Sequence, residues 1–220
     1  MSDIFEKIIN SNKYKSILCL NGSLPEKVFF DHFDIPIIAA DGAANKLMQM
    51  NIEPNIVIGD LDSIKPEYLK SLNHIKILNQ NKSDFEKSIE YIIKNKMSPT
   101  VILGLGGGYL DHILHNINLF TQTEFAAFSD STIIFNIRNS LDLKLEKNTK
   151  ISLFGIPRAQ ISTFGLKWNL SNELLTFPGK NSAFNRVLEE DIKISVYHGS
   201  LLCIVYLEEV IDAGVGVNII

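Results

Sequence analysis

Two aspartates, Asp60 and Asp62, have the types and the spacing that most strongly indicate chemistry in this chain. They follow the apolar run Ile56–Gly59, which is typical of a buried strand that ends in an exposed turn. Carboxylates two residues apart point the same way only if the backbone is extended, and they then repel by about 4 kcal/mol at ~4 Å with an effective dielectric of ~20. A hard cation removes that repulsion, and Mg²⁺ usually shares a substrate phosphate. The pair predicts a metal–phosphate site, with a solvated turn as the alternative.

Other polar clusters follow strand-like runs in the same manner. They are Asp41–Asn45, Asn79–Asp84 and Gly104–His112. In a parallel sheet the carboxyl ends of the strands lie along one edge, which is where such sheets bind ligands. We therefore expect all these clusters to meet at that edge, and their convergence supports a metal–phosphate site more strongly than any single cluster does.

Helix capping is the alternative interpretation for several of these residues. Asp41 precedes a helical pattern and could be its N-cap. Ser83 and Glu86 match a capping box that would place Asp84 in the first helical turn. Asp111 lies near another predicted helix start and is open to the same interpretation. Capping is compatible with function here, because a helix N-terminus that faces the ligand edge binds anions.

The glycine-rich segment Gly104–Gly108 carries no complete nucleotide-binding signature. No Gly-Lys-Ser/Thr follows it, and Tyr109 stands where a G-x-G-x-x-G motif needs its last glycine. A plain loop is the alternative, although glycines allow backbone amides to approach phosphates closely. Asp111, His112 and His115 do not predict zinc, because no other cluster supplies matching His or Cys ligands.

Strand-like and helix-like segments alternate over the first two thirds of the chain. The predicted strands are Ser16–Leu20, Pro36–Ala40, Asn55–Gly59, Ile75–Leu78, Thr100–Leu103 and Glu124–Phe128. The predicted helices are Ala43–Met50, Asp84–Lys94 and Leu110–Phe120. The alternation predicts a parallel sheet covered by helices on both faces, which is a three-layer α/β domain.

The pattern becomes mostly β after a predicted boundary at Arg138–Ser140. The predicted strands there are Leu141–Leu145, Lys150–Gly155, Gln160–Leu166, Leu174–Phe177, Ile192–Tyr197 and Leu201–Leu207. The predicted turns between them include Pro157 and His198-Gly199. Short strands with regular turns predict a sandwich or barrel. The predicted fold class is therefore α/β plus all-β, in two domains at residues 1–139 and 140–220.

Composition excludes several classes of protein. The hydrophobic content of 45% is that of a globular protein, and the net charge of −4 gives no basic surface for nucleic acid. No apolar run approaches the ~18 residues of a membrane span, so no membrane partner is expected. The start, Met1–Lys7, lacks a basic segment followed by an apolar one, so a cytoplasmic location is expected. Cys19 and Cys203 lie in apolar runs and are expected to be reduced core residues.

The polar clusters, taken in order, resemble the thiamine pyrophosphokinase family. The motifs that carry the resemblance are Asp-Gly-Ala-Ala-Asn (41–45), Gly-Asp-Leu-Asp-Ser (59–63), Ser-Asp-Phe-Glu-Lys (83–87), Gly-Gly-x-x-Asp-His (107–112) and the segment Thr163–Leu170. The resemblance implies a Rossmann-like N-terminal domain, a C-terminal β-sandwich and a homodimer with active sites between subunits. It also implies transfer of a pyrophosphoryl group from ATP to the hydroxyl of thiamine, which yields thiamine diphosphate and AMP.

The resemblance further implies roles for individual residues. Those expected to hold Mg²⁺ are Asp60, Asp62 and Asp84. Those expected to complete the acidic edge, by orienting the metal shell or receiving the hydroxyl proton, are Asp41 and Asp111. Those expected near ATP and its phosphates are Asn21, Gly22, Asp41, Asn45, Gln80, Ser83, Gly107, Gly108 and His112. Those expected near thiamine are Trp168, Ser182, Phe184 and Asn185. No covalent nucleophile is needed, because phosphoryl transfer depends mainly on positioning and charge stabilisation.

Several positions depart from the family pattern. Asn81 stands where the family usually has Asp, Tyr109 where it has Arg, and Ala183-Phe184 where it has Thr-Ser. Loss of the carboxylate at position 81 would weaken the binding of a second metal ion. Lys82 or Lys87 could supply the positive charge that is missing at position 109. The changed segments leave two alternatives open. One is a pyrophosphokinase for another alcohol, such as a hydroxymethyl-pterin, and the other is a non-catalytic sensor of nucleotide or thiamine.

Trp168 is the only tryptophan of the chain, and it has more than one interpretation. We favour packing in the sandwich core or in a dimer interface over stacking on thiamine. Phe184 could form a wall of the acceptor pocket, since aromatic rings accept flat heterocycles and cations.

Overall fold

The computed structural model describes residues 13–129 and 131–207. Its strands are β1 (Ser16–Cys19), β2 (Ile37–Ala40), β3 (Ile56–Gly59), β4 (His74–Lys76), β5 (Thr100–Leu103), β6 (Ala126–Ser129), β7 (Thr132–Ile137), β8 (Ser140–Lys144), β9 (Lys150–Phe164), β10 (Glu173–Thr176), β11 (Ser182–Arg186) and β12 (Asp191–Tyr206). Its helices are α1 (Lys27–Phe30), α2 (Ala43–Gln49), α3 (Pro66–Leu69), α4 (Asp84–Lys94) and α5 (Leu110–Phe120). The expectation for Met1–Lys7 lies outside the described residues.

Six strands form the parallel half of one continuous twelve-stranded sheet. Their order is β4-β3-β2-β1-β5-β6, and each neighbouring pair is parallel. Apolar side chains on the two faces form separate clusters that the helices cover. Leu47 of α2 packs into one cluster, whereas Phe85 of α4 and Phe120 of α5 pack into the other. Burial on both faces explains why these strands are continuous apolar runs.

The strand β7, which the sequence did not predict, begins the antiparallel half of the sheet. It pairs with β6 on one side and with β12 on the other. The sheet continues through β9 to β10, while β8 pairs with β12 and β11 pairs with β9. Side chains of the antiparallel half, including Ile151, Ile161 and Ile194, enclose a third apolar cluster. The α/β plus β-sandwich fold class is confirmed, and the division at residues 139 and 140 falls between β7 and β8.

The strands β9 and β12 each replace two predicted strands. Pro157 and His198-Gly199 were expected to be turns, but they lie inside strands of 15 and 16 residues. The register between β9 and β12 shifts on both sides of His198-Gly199, and such bulges bend a strand without ending it. Consequently β12 pairs with β8 through Asp191–Ser195 and with β7 through Leu201–Tyr206. One strand thus joins the two halves of the molecule.

Two further expectations concern the core and the membrane. Cys19 and Cys203 are buried and free, and burial raises the pKa of the Cys203 thiol to about 12. A thiol with so high a pKa is unreactive, as expected for a packing residue. Within residues 13–129 and 131–207, no helix has the length and hydrophobicity needed to cross a membrane.

Candidate active site

The carboxyl ends of β2 and β3 bring carboxylates together at one edge of the sheet. The two strands are parallel neighbours with Ala40 opposite Ile58, so the residues that follow them lie side by side. One oxygen from each of Asp41, Asp60 and Asp62 lies within 4.8 Å of the others. The first two polar clusters of the sequence therefore meet in space.

Asp41 is the buried member of this group. Its side chain is 3% exposed, and its backbone has a φ of 38°, a left-handed conformation that Asp tolerates better than most residues. Oδ2 accepts a hydrogen bond from the Ser63 N–H at 3.1 Å, whereas Oδ1 has no hydrogen-bond partner. Burial raises the pKa of Asp41, the Ser63 bond opposes the shift, and Asp84 and Asp62 add to it. An unpaired buried carboxylate oxygen is unfavourable unless a cation completes the site.

The turn between Asp60 and Asp62 differs from the extended backbone that the sequence predicted. Leu61 has a φ of 63°, which is strained for a bulky residue, and its side chain is 8% exposed. The Asp60 Oδ1 accepts a hydrogen bond from the Asp62 N–H at 3.4 Å, as in a tight turn. Burial of Leu61 therefore holds the turn that keeps both carboxylates near Asp41.

Gln80, expected at the phosphates, instead contacts a carboxylate. Its Nε2 donates to Asp60 Oδ2 at 2.9 Å, and this bond is the main reason that the pKa of Asp60 is lowered. The neighbouring Asp62 Oδ1 accepts from the Ser63 hydroxyl at 2.8 Å. Gln80 thus orients the Asp60 carboxylate and favours its charged form, and the Ser63 hydroxyl orients the Asp62 carboxylate.

Asp84 lies beside the group of three and is not part of it. Its Oδ1 accepts from the Lys87 ammonium at 2.8 Å, and Lys87 is 2% exposed. A Cβ placed on Gly59 would lie 3.1 Å from the same oxygen, so the carboxylate of Asp84 stands against the end of β3. One oxygen from each of Asp41, Asp60 and Asp62 could share an ion, and Asp84 bonds Lys87 beside them. The predicted metal set of Asp60, Asp62 and Asp84 stays a prediction.

The helix α4 begins at this edge with the predicted capping box. The Ser83 Oγ accepts from the Glu86 N–H at 3.3 Å, and the Ser83 N–H donates to Glu86 Oε2 at 2.8 Å. Ser83 therefore caps the helix, and its hydroxyl is engaged with Glu86. Because Ser83 and Asp84 also line the cleft described below, the positive end of α4 faces it.

Two glycine segments close the other side of the site. A Cβ on Gly22 would lie 1.9 Å from the Gly106 carbonyl oxygen, and one on Gly107 would lie 2.6 Å from the Ser23 backbone nitrogen. Only glycine permits these backbones to approach so closely. The Lys46 ammonium of α2, which sequence reasoning missed, donates to the Asn21 and Gly22 carbonyls at 2.8 and 2.6 Å. Lys46 therefore ties the loop after β1 to the helix that follows Asp41.

Asn45 uses both ends of its amide on a neighbouring turn. Its Nδ2 donates to the Ser63 carbonyl at 2.8 Å, and its Oδ1 accepts from the Lys65 N–H at 2.9 Å. With both groups engaged, Asn45 positions the turn that carries Asp62 and Ser63 rather than facing the cleft.

The first turns of α5 form the remaining wall. Asp111 and His112 are exposed there, and Asp111 Oδ1 accepts from the His112 N–H at 2.9 Å. His115 and Asn116 follow on the same face, as helical spacing of three and four residues requires. That spacing could have identified both residues from the sequence. The Asn116 Nδ2 donates to the Leu105 carbonyl at 3.3 Å and so fixes the glycine loop.

These elements enclose a cleft of about 610 Å³. The predicted site residues that line it are Asn21, Gly22, Asp41, Ser83, Asp84, Gly108, Asp111 and His112. The predicted site residues outside the lining are Asn45, Asp60, Asp62, Gln80, Gly107, Trp168, Ser182, Phe184 and Asn185. The volume falls in the range of small-molecule sites, and the walls combine a helix N-terminus, glycine loops and carboxylates. Oxygen donors of this kind suit Mg²⁺ together with a phosphate chain.

The residues expected near thiamine form a separate surface on the sandwich, which we call the Trp168–Phe184 surface. Trp168 is 55% exposed and Phe184 is 63% exposed, so Trp168 does not pack in the core of a single chain. Packing of Trp168 in a dimer interface stays a prediction. The Lys167 ammonium lies 4.7 Å from the centroid of the Trp168 ring. Asn185 is buried and bonds both the N–H and the carbonyl of Trp168, at 3.2 and 2.8 Å, and its Nδ2 also donates to the Ser182 hydroxyl at 3.1 Å. Asn185 therefore supports this surface from below.

Comparison with known proteins agrees with the fold and the motifs. The family model for the catalytic domain of thiamin pyrophosphokinase matches residues 31–134, and the model for its vitamin B1 binding domain matches residues 136–201. The chain belongs to the thiamine pyrophosphokinase family.

Individual relatives are distant but cover most of the chain. Thiamine pyrophosphokinase 1 of rice is 26% identical over 82% of this chain and 83% of its own length. Thiamine pyrophosphokinase 2 of rice is 29% identical over 84% and 83%, respectively. Among solved structures, the thiamine pyrophosphokinase of Bacillus subtilis superposes with a TM-score of 0.76 at 19% identity, over 89% of this chain and 100% of the other. The yeast enzyme also gives 0.76, at 20% identity, over 95% and 92%.

Proposed function

We propose that this chain is a thiamine pyrophosphokinase, which transfers a pyrophosphoryl group from ATP to the hydroxyl of thiamine and releases AMP. The observation that carries the proposal is the group of Asp41, Asp60 and Asp62 beside a cleft walled by glycine loops and a helix N-terminus. Each curated relative named above is a thiamine pyrophosphokinase, which favours thiamine over other alcohols.

The residues at the edge would have two roles, which are stabilising charge and positioning the phosphates. Asp41, Asp60 and Asp62 would hold Mg²⁺, with Asp84 beside them, and the bound ion would neutralise charge on the phosphates. The backbones of Gly22, Gly106 and Gly108 line the cleft and would lie along the triphosphate, and the N-terminus of α4 adds favourable partial charge. Asp111, which is exposed and lines the cleft, would accept the proton of the attacking hydroxyl or orient the metal shell, roles that it would share with Asp41.

The acceptor side of the proposal requires a second copy of the chain. In a single chain, Trp168 and Phe184 do not line the cleft, yet both are largely exposed and Asn185 holds the backbone beneath Trp168. We therefore propose a homodimer in which this surface of one protomer completes the site of its partner. A monomer mass in light scattering at micromolar concentration would contradict this part.

The proposed location is the cytoplasm. Both cysteines are free and buried, which suits a reducing compartment. Expression with a fluorescent tag and fractionation tests it.

The test of the reaction is an assay with ATP, Mg²⁺ and thiamine that measures thiamine diphosphate and AMP together. Equal amounts of the two products are expected, with no ADP, and chelation of the metal is expected to stop both. A parallel assay uses a hydroxymethyl-pterin. AMP formation with the pterin but not with thiamine would assign another acceptor, and no AMP with either alcohol would indicate a binding protein.

A further inference from the structure

Lys87 is a buried charge to which neither the fold nor the proposed reaction assigns a role. Among the described residues, the charged side chains classed as buried are Asp41, at 3% exposure, and Lys87, at 2%, and both lie at the acidic edge. An ammonium group is rarely buried unless it is paired, because removal from water is unfavourable. Lys87 donates to Asp84 Oδ1 at 2.8 Å, and it does not line the cleft. It therefore acts on the site through Asp84 and not by touching substrate.

The surroundings of Lys87 are strongly negative. Asp41, Asp60 and Asp62 lie within 4.8 Å of one another, and Asp84 is close enough to Asp41 to raise its pKa. The charge of Lys87 also acts on Asp60, although the hydrogen bond from Gln80 has the larger effect on the pKa of that carboxylate. A set of carboxylates so close together repels itself whenever no metal is bound. The Lys87 ammonium belongs to the chain itself and lies 2.8 Å from Asp84 Oδ1, so its contact with the acidic edge does not depend on a bound ion.

We propose that Lys87 is a positioning residue that keeps the acidic edge assembled in the absence of Mg²⁺ by holding Asp84 and offsetting the repulsion among the carboxylates. The inference rests on the proposed function in that it takes the edge to be the metal site. The charge of Lys87 therefore has two opposite effects. It stabilises the metal-free edge, and it also repels the incoming Mg²⁺ and weakens its binding. The metal-free cleft is thereby preformed, and the ion is easily released with the product.

The test compares the full-length wild type with Lys87→Met, which removes the charge and keeps the length of the side chain. The matched control is Lys180→Met, because Lys180 is an exposed lysine of the sandwich that pairs with Glu173. Thermal unfolding is measured in EDTA and in a series of Mg²⁺ concentrations, without nucleotide or thiamine. Calorimetry then gives the affinity for Mg²⁺ alone.

The Lys87→Met variant is expected to unfold roughly 5 °C lower than the wild type in EDTA. It should recover at least half of that loss in Mg²⁺ and bind Mg²⁺ several-fold more tightly, whereas Lys180→Met should match the wild type in all three measurements. An equal Mg²⁺-induced shift in Lys87→Met and wild type would overturn the proposal, because the site would then not sense the missing charge.

Two further outcomes are decisive. If Lys87→Met does not fold, the double variant Lys87→Met/Asp84→Asn removes both charges and is expected to fold; failure of the double variant as well would assign Lys87 to core packing and overturn the proposal. Absence of any Mg²⁺ shift in the wild type would also overturn it. A normal Mg²⁺ shift without formation of thiamine diphosphate would contradict the proposed function alone, because these measurements do not involve the reaction.

Discussion

The acidic edge and the Trp168–Phe184 surface are built in opposite ways. At the edge, polar side chains bond to one another, and the cleft beside them lies within one chain. On the sandwich, large aromatic side chains are exposed, and the buried Asn185 bonds the backbone of Trp168 and not its ring. The difference is what the proposed homodimer predicts, in which one chain supplies the phosphate side of the site and the Trp168–Phe184 surface of its partner supplies the acceptor side.

The two regions nevertheless share one backbone feature. Each contains a non-glycine residue in the left-handed region, Asp41 with a φ of 38° and Phe184 with a φ of 53°. Each is held there by a hydrogen bond, from the Ser63 N–H to the carboxylate of Asp41 and from the Phe184 N–H to the Ser152 hydroxyl at 2.9 Å. Strain of this kind persists where the surroundings fix a side chain for function. We therefore expect both regions to bind ligands, although only one is enclosed.

The largest expected effect comes from Asp62→Asn, which changes the acidic edge. The amide keeps the size of the side chain but removes a charge from the group that would hold Mg²⁺. AMP formation from ATP and thiamine should fall by roughly 10³-fold, which corresponds to about 4 kcal/mol of transition-state stabilisation.

The control for this variant is Asp142→Asn, an exposed acid-to-amide change on β8 of the sandwich. Both variants should give the circular dichroism spectrum of the wild type. Full activity of a folded Asp62→Asn variant would show that the carboxylate group is not the catalytic centre.

A smaller effect is expected from Phe184→Ala, which changes the Trp168–Phe184 surface. Loss of an exposed ring that is proposed to face a flat cationic acceptor should raise KM for thiamine about tenfold, or about 1.4 kcal/mol, and leave KM for ATP unchanged. Steady-state kinetics with each substrate varied in turn separates the two constants.

The control is Tyr197→Ala, because Tyr197 is 52% exposed on β12 outside the Trp168–Phe184 surface. A change in KM for ATP alone would mean that the two regions are not divided between the phosphates and the acceptor.

Sequence alone predicts the edge better than the surface, and the reason is local. Asp60 and Asp62 are identifiable because an apolar run ends directly before them, and α4 and α5 have the predicted bounds Asp84–Lys94 and Leu110–Phe120. Capping residues and a period near 3.6 are signals written within a few residues.

Other features depend on distant partners and carry no such signal. The burial of Lys87 follows from how α4 packs on the sheet, and the role of Asn185 follows from a contact with Trp168, 17 residues away. Pro157 and Gly199 are usually chain breakers, so β9 and β12 were each divided in two. The long strands tolerate them because bulges and pairing with neighbours on both sides absorb the local preference.

The smallest expected effect is on stability. It tests whether the buried carboxylate of Asp41 destabilises the metal-free fold. Burial raises the pKa of Asp41, so the folded state holds its proton more strongly than the unfolded state does. The contribution of Asp41 to stability is therefore fully present below its unfolded pKa and is lost as pH rises through its folded pKa. The Asp41→Asn variant does not lose this stability at high pH, because Asn stays neutral and tolerates a left-handed backbone.

In EDTA, the Asp41→Asn variant should therefore be more stable than the wild type by about 1 kcal/mol at pH 8, and the difference should shrink toward pH 4. Urea unfolding at several pH values measures it. Asp111→Asn is the matched control, because Asp111 is exposed at the same cleft and its change should leave stability within about 0.5 kcal/mol of the wild type. If Asp41→Asn were the less stable protein at pH 8, the unpaired Oδ1 would be a structural necessity rather than a strain that the bound ion relieves.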